Sequence, residues 1–204
     1  MKKNRTTALA AAPLALALLL AGCTDAGTTA TSGMNDSDET AMSSTPAVEV
    51  QGEYNAADTM FASMMIPHHE QAVEMSDMLL AKDDVDERVA ELAERIKAAQ
   101  APEIDQMEAW LDDWGMPSGA EMGDMRHGDG MMSEDDMAAL ESATGDDASR
   151  LFLEQMIQHH EGAIDMAEAE IADGINPDAV ALAETIIETQ ATEITEMREL
   201  LADF

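Results

Sequence analysis

The pattern of residues 61–75 recurs 91 positions later. Phe61-x-x-x-Met65-Ile66-Pro67-His68-His69-Glu70-Gln71-Ala72-Val73-Glu74-Met75 matches Phe152-x-x-x-Met156-Ile157-Gln158-His159-His160-Glu161-Gly162-Ala163-Ile164-Asp165-Met166. A second match follows: Leu92-Ala93-x-x-Ile96-x-x-x-Gln100-x-x-Glu103-x-x-x-Met107 corresponds to Leu182-Ala183-x-x-Ile186-x-x-x-Gln190-x-x-Glu193-x-x-x-Met197. The offset there is 90, so one residue is lost in the turn between. Two copies of one supersecondary unit are implied, each with an apolar face to bury. The simplest solution packs the two faces together.

Each copy reads as two helices. Phe61, Met65, His68, Ala72, Met75 and Leu79 alternate in steps of four and three, which keeps them on one helical face. This predicts a helix over 56–81, capped by Asn55 with Asp58 three residues on. Asp84 with Glu87 is expected to open a second helix, to about Asp113. In the other copy a helix is expected over 147–172, stopped by Gly174 as a C-terminal cap. Asn176-Pro177 opens the last, to about Ala202. Strand signals are absent. The expected fold is therefore all-α: a four-helix bundle made of two repeated helical hairpins. Pro67 and Pro102 fall inside predicted helices and should bend them, whereas Gln158 and Thr192 stand at the matching positions.

The N-terminus reads as an address. Lys2, Lys3 and Arg5 precede an apolar run, 8–20, too short to span a membrane comfortably. Leu20-Ala21-Gly22-Cys23 follows, and Cys23 is the single cysteine. The pattern resembles a bacterial lipoprotein signal, which implies removal of residues 1–22 and a lipid on Cys23. Residues 23–53, rich in Ser, Thr, Gly, Asp and Ala, are then a disordered tether. Residues 54–204 form the helical domain, with a Met-rich linker at 115–133. Residues 133–142 read as a short helix capped by Ser133.

Charge excludes several partners. Asp and Glu number 43 against 10 Lys and Arg, for a net charge of −33. Such a chain repels nucleic acid, and it contacts an anionic membrane through its lipid anchor only. Without a free thiol in the mature chain, metal chemistry falls to His, Met, Asp and Glu. The acidic clusters lie mostly at helix starts, where the helix dipole favours them.

Two readings of the histidines stand. They are hydrogen-bonded packing residues, or four imidazoles converge where the two copies face each other: His68, His69, His159 and His160. Carboxylate di-iron bundles use Glu-x-x-His, and neither pair has it. Met65 stands three residues before His68 and four before His69, and Met156 stands likewise before His159 and His160. A soft thioether has replaced the hard oxygen donor, and thioether with imidazole favours Cu(I) over iron, calcium or magnesium. The expected site is thus His68, His69, Met65, His159, His160 and Met156. Candidate further ligands are Met64, Met75, Met107, Met166 and Met197, and in the linker Met122, Met125, His127, Met131 and Met132. The linker is too polar and glycine-rich to be core, so its methionines suggest a second, mobile soft-metal site. Gln100, Glu103 and Met107 share a face, as do Gln190, Glu193 and Met197; they close the site or merely pack. No nucleophile beside a base, phosphate loop or dinucleotide fingerprint is present, and no organic cofactor is expected.

The doubled Met-Ile-x-His-His-Glu-x-Ala motif, with the paired Leu-Ala-x-x-Ile-x-x-x-Gln-x-x-Glu-x-x-x-Met, resembles domain-of-unknown-function family 305. The resemblance covers about residues 55–204. It implies a ferritin-like helical bundle, and copper binding through the four histidines and nearby methionines, since the family includes CopM-type periplasmic copper-binding proteins. It implies no settled enzymatic activity. The function expected is an extracytoplasmic lipoprotein that binds Cu(I), with Ag(I) or Cu(II) as further guests, for sequestration or delivery. Metal donor or acceptor proteins and self-association are its candidate partnerships. The alternatives are a metal-dependent redox enzyme in a ferritin-like bundle, and a structural or interaction lipoprotein without metal.

Overall fold

Five α-helices and no strand are present among the described residues, 53–116 and 130–204 of a computed structural model. They are α1 (Ala56–Leu80), α2 (Glu87–Asp113), α3 (Glu134–Ser142), α4 (Gly145–Asp173) and α5 (Pro177–Leu201). All lie in the unit Val48–Phe204. The signal segment, Cys23, most of the tether, Met122, Met125 and His127 lie outside the described residues. No described helix is long and apolar enough to cross a membrane.

The helix starts follow local chemistry. Asn55 Oδ1 accepts from the Ala57 and Asp58 amides at 2.7 and 3.1 Å, and Asp58 returns the bond to the Asn55 amide. Ser133 and Asp136 build the same box at α3. Asn176 Oδ1 accepts from the Asp178 and Ala179 amides, with Pro177 as the first helical residue. Two ends differ from expectation. Asp86, not Asp84, caps α2, and Arg88 clasps its carboxylate and holds its pKa low. Asp84 instead takes the left-handed turn at φ 60°, a conformation a short polar side chain tolerates. Gly174 does end α4, but at φ −70°. Glycine stands there because a Cβ would collide with the side chain and carbonyl of Glu170. Pro67 and Pro102 sit inside α1 and α2, and neither helix is broken.

Helix α1 packs along α2, and α4 along α5. The two hairpins meet chiefly through α1 and α4, while α2 and α5 barely touch. Helix α3 fills in beside α1 and α4. The fold is therefore an all-helical domain of two hairpins and one short helix.

The core falls into two apolar clusters. One holds Phe61, Met65, Met107, Leu111, Ala163, Ala167, Leu182 and Ile186. The other holds Ala72, Met75, Leu79, Leu92, Ile96, Phe152, Met156, Ile194 and Met197. Each cluster takes one half of α1 and the opposite half of α4, as two antiparallel copies must. The histidines lie between these halves in sequence.

The returning end of the linker is not solvated as expected. Met132 is buried in the second cluster. Its amide donates to Gln71 Oε1 at 2.7 Å, and Gln71 Nε2 donates to its carbonyl at 3.0 Å. Gly130 lies so close to α4 that a Cβ would come within 2.8 Å of the Gly162 Cα. The repeats differ at Gln71 and Gly162, and these two residues hold the crossing chain.

Candidate metal centre

His68 and His159 occupy equivalent places on α1 and α4, the pair of helices through which the copies meet. Their rings lie 3.7 Å apart between centroids, tilted by 39°. His160 follows at 6.4 Å from His159. All four imidazoles are fully buried. Burial, and then the neighbouring His68, His160 and His69, hold the His159 pKa well below the ordinary imidazole value. His159 is therefore neutral at physiological pH and carries a lone pair.

The outer histidines are bound differently. His69 Nε2 lies 2.8 Å from Glu103 Oε2, and His160 Nε2 lies 2.7 Å from Glu193 Oε2. Each contact joins the two helices of one hairpin. Nδ1 of His69 and Nδ1 of His160 have no hydrogen-bond partner, and the His159 ring meets the backbone of His68. Gln100 and Gln190, one turn from the glutamates, also hold unpartnered amide atoms. Buried polar atoms are nearly always satisfied, and leaving one bare costs roughly 1–3 kcal/mol. A layer this rich in bare nitrogen lone pairs suits a ligand that accepts them.

The thioethers lie to both sides of this layer. Met65 and Met107 are in the first apolar cluster, with Met166 packed against it. Met75, Met132, Met156 and Met197 are in the second. Met64 and Met131 are half-buried. Among the described residues no three His, Cys, Asp or Glu side chains converge on a point that would hold a metal ion. The nitrogen donors are gathered, and a full coordination set would need the soft sulfurs to complete it. Imidazole nitrogen and thioether sulfur fit Cu(I) or Ag(I), ions content with few, soft ligands.

Two features escaped the pattern of the sequence. Glu103 and Glu193 were legible as members of a helix face but not as the partners of His69 and His160. The signal was their equivalence in the two copies, which the histidines share. Asp58 and Glu170 form a buried carboxyl pair at the end of α1 and α4. Asp58 Oδ1 accepts from the Ile175 and Asn176 amides at 3.0 and 2.9 Å. Burial, then the adjoining Asp58 carboxyl, pushes the Glu170 pKa up to about 8.

The family model for DUF305, a domain of unknown function, matches residues 58–201. The chain belongs to the DUF305 family. A DUF305 fragment from Deinococcus radiodurans is 32% identical, with a TM-score of 0.68 over 74% of this chain and 99% of that one. A Streptomyces coelicolor DUF305 protein, described as secreted, is 35% identical, with a TM-score of 0.65 over 72% and 93%. CopM in its Cu(II)-bound form is 33% identical, with a TM-score of 0.62 over 72% and 96%. CopM has also been solved with Cu(I) and with silver bound. No curated protein matches the chain.

Proposed function

We propose that this DUF305 chain is an extracytoplasmic lipoprotein that binds soft metal, Cu(I) foremost, for sequestration or delivery. In this reading α1, α2, α4 and α5 act as a ferritin-like four-helix bundle, and Cys23 carries the lipid that tethers it. His68, His69, His159 and His160 supply nitrogen, and Met65 and Met156 supply sulfur. The observation that carries the reading is the buried imidazole layer with bare nitrogens, flanked by buried thioethers. Neutral ligands of both kinds bind without losing a proton, so uptake would persist at mildly acidic pH better than at thiolate sites. The likeness to CopM, solved with copper and silver, supports the choice of metal. The likeness to a protein described as secreted supports the compartment. We read the chain as a binder rather than an enzyme.

The test is Cu(I) titration of the mature chain against a competing chelator, beside a variant with all four histidines replaced by alanine. Tight binding lost in the variant is the expected result. Binding retained there would move the site to the methionines and His127. No binding by either protein would leave a structural role. Metal-dependent consumption of oxygen or peroxide would replace the reading with a redox enzyme.

A further inference from the structure

We infer that Glu103 and Glu193 are positioning residues that hold His69 and His160 as Nε2–H tautomers, so that soft metal is taken at Nδ1 of both rings. The inference rests on the metal-binding reading above and names the atoms it uses.

The glutamates reach the Nε2 atoms at 2.8 and 2.7 Å. A glutamate oxygen at this distance serves as the acceptor, so the nitrogen facing it carries the hydrogen. A neutral imidazole has one N–H, which leaves the lone pair on Nδ1. Both Nδ1 atoms are buried without a partner. The geometry leaves Nδ1 as the bare ring nitrogen in both copies. A carboxylate behind a ligating histidine fixes the tautomer, fixes the ring orientation and raises ligand basicity. The same arrangement occurs in both copies, from equivalent helix positions, although Pro67 and Pro102 distinguish the first copy.

His68 and His159 lie ring against ring. The layer thus holds two kinds of histidine: an outer pair fixed from behind and an inner pair fixed by contact. Glu103 and Glu193 are themselves partly exposed, at 17% and 12%.

The experiment is long-range proton–nitrogen NMR on the 15N-labelled mature chain, first without metal and then with Ag(I) as a closed-shell substitute for Cu(I). The metal-free spectrum should show Nε2–H with a pyridine-like Nδ1 for His69 and His160, and Ag(I) should move the Nδ1 resonances. Glu103→Leu with Glu193→Leu should erase the tautomer bias and weaken Ag(I) binding by about 10–100-fold. Glu103→Gln with Glu193→Gln, which keeps an uncharged acceptor, should retain the tautomer and lose less affinity. A purely structural role would lower the melting temperature and leave tautomer and affinity alone. Should the leucine variant not fold, the wild-type spectra still decide. Nδ1–H rings, or Ag(I) shifts at Nε2, would overturn the inference while leaving metal binding intact. No uptake of Ag(I) by the wild type would overturn the metal-binding reading, and Nδ1 ligation with it.

Discussion

His68 and His159 lie ring against ring, 3.7 Å between centroids, where α1 packs on α4. Each comes from the same place in its own copy, so the contact lies on the junction between the two hairpins. A polar layer at the one broad hairpin interface weakens that interface unless something occupies it. The fold has put two buried imidazoles where ligand binding would do most to join its halves.

Replacing both rings with leucine should separate ligand binding from folding. Removing both polar partners for apolar groups of similar size is near neutral or stabilising. The metal-free His68→Leu/His159→Leu variant should therefore unfold at a urea concentration no lower than the wild type. Ag(I) at about a hundredfold over its Kd should stabilise the wild type by about 2.7 kcal/mol and the variant much less. Loss of more than ~3 kcal/mol in the metal-free variant would show that the rings are structural.

Glu170 predicts a pH dependence that the other end of the domain lacks. It stands where the first copy has Leu79, and Asp58 stands where the second copy has Ser149. Its pKa is pushed up to about 8 from the ordinary 4.5 of a glutamate. The folded state therefore binds this proton more tightly than the unfolded state. Its contribution is fully present below about pH 4.5 and is lost as pH rises to about 8. Compared with Glu170→Leu, the wild type should lose at most about 1.4 kcal/mol per pH unit through that window, with no further change above it. Urea midpoints from pH 4 to 9 measure this, and parallel curves for the two proteins would refute it.

Much of this was legible in the sequence because it is local or doubled. Asn55 with Asp58, Ser133, and Asn176 with Pro177 each act within four residues, so spacing reveals them. The repeat announces two hairpins, and the stripe containing His68 and His159 announces that they face inward. What stayed hidden depends on where distant segments land. Asp58 reads as half of a capping box, yet its other oxygen holds the turn before α5, more than a hundred residues away. Glu103 reaches His69 only through the rotation of α2 against α1, which a periodic pattern leaves free. Met132 lies outside any helical stripe. Its burial follows from the path of the backbone, fixed by Gln71 and Gly162.

Asn55 and Asn176 should prove thermodynamically coupled. Each caps its own helix with Oδ1. Asn55 Nδ2 also donates to the Asp173 carbonyl, and Asn176 Nδ2 to the Glu53 carbonyl, both at 2.8 Å. Asp58 receives the backbone amides of both residues. Alanine at either position should cost about 1 kcal/mol from the lost cap, plus part of the cross-connection. Sharing these partners, the double variant should cost less than the sum, by at least ~0.5 kcal/mol in a double-mutant cycle. Strict additivity would mean the two caps act separately.

Gly130→Ala should release the linker from the core. The residue sits at φ +86°, and an added Cβ would lie 2.8 Å from the Gly162 Cα and 2.9 Å from the Gln158 carbonyl oxygen. Both neighbours are helix backbone, so α4 cannot yield and the crossing chain must lift. Two residues on, Met132 then loses its paired bonds to Gln71 and its place beside Met75 and Met156. Vacating a buried methionine site costs about 2–5 kcal/mol, and the variant should fall in that range by urea unfolding. Met132 should also become open to peroxide, with its sulfoxide forming faster than in the wild type by peptide mass analysis. The same substitution made on a Met132→Ala background should cost far less, because the side chain it expels is already gone. An undiminished cost there would place the strain at Gly130 itself and not in the packing of Met132.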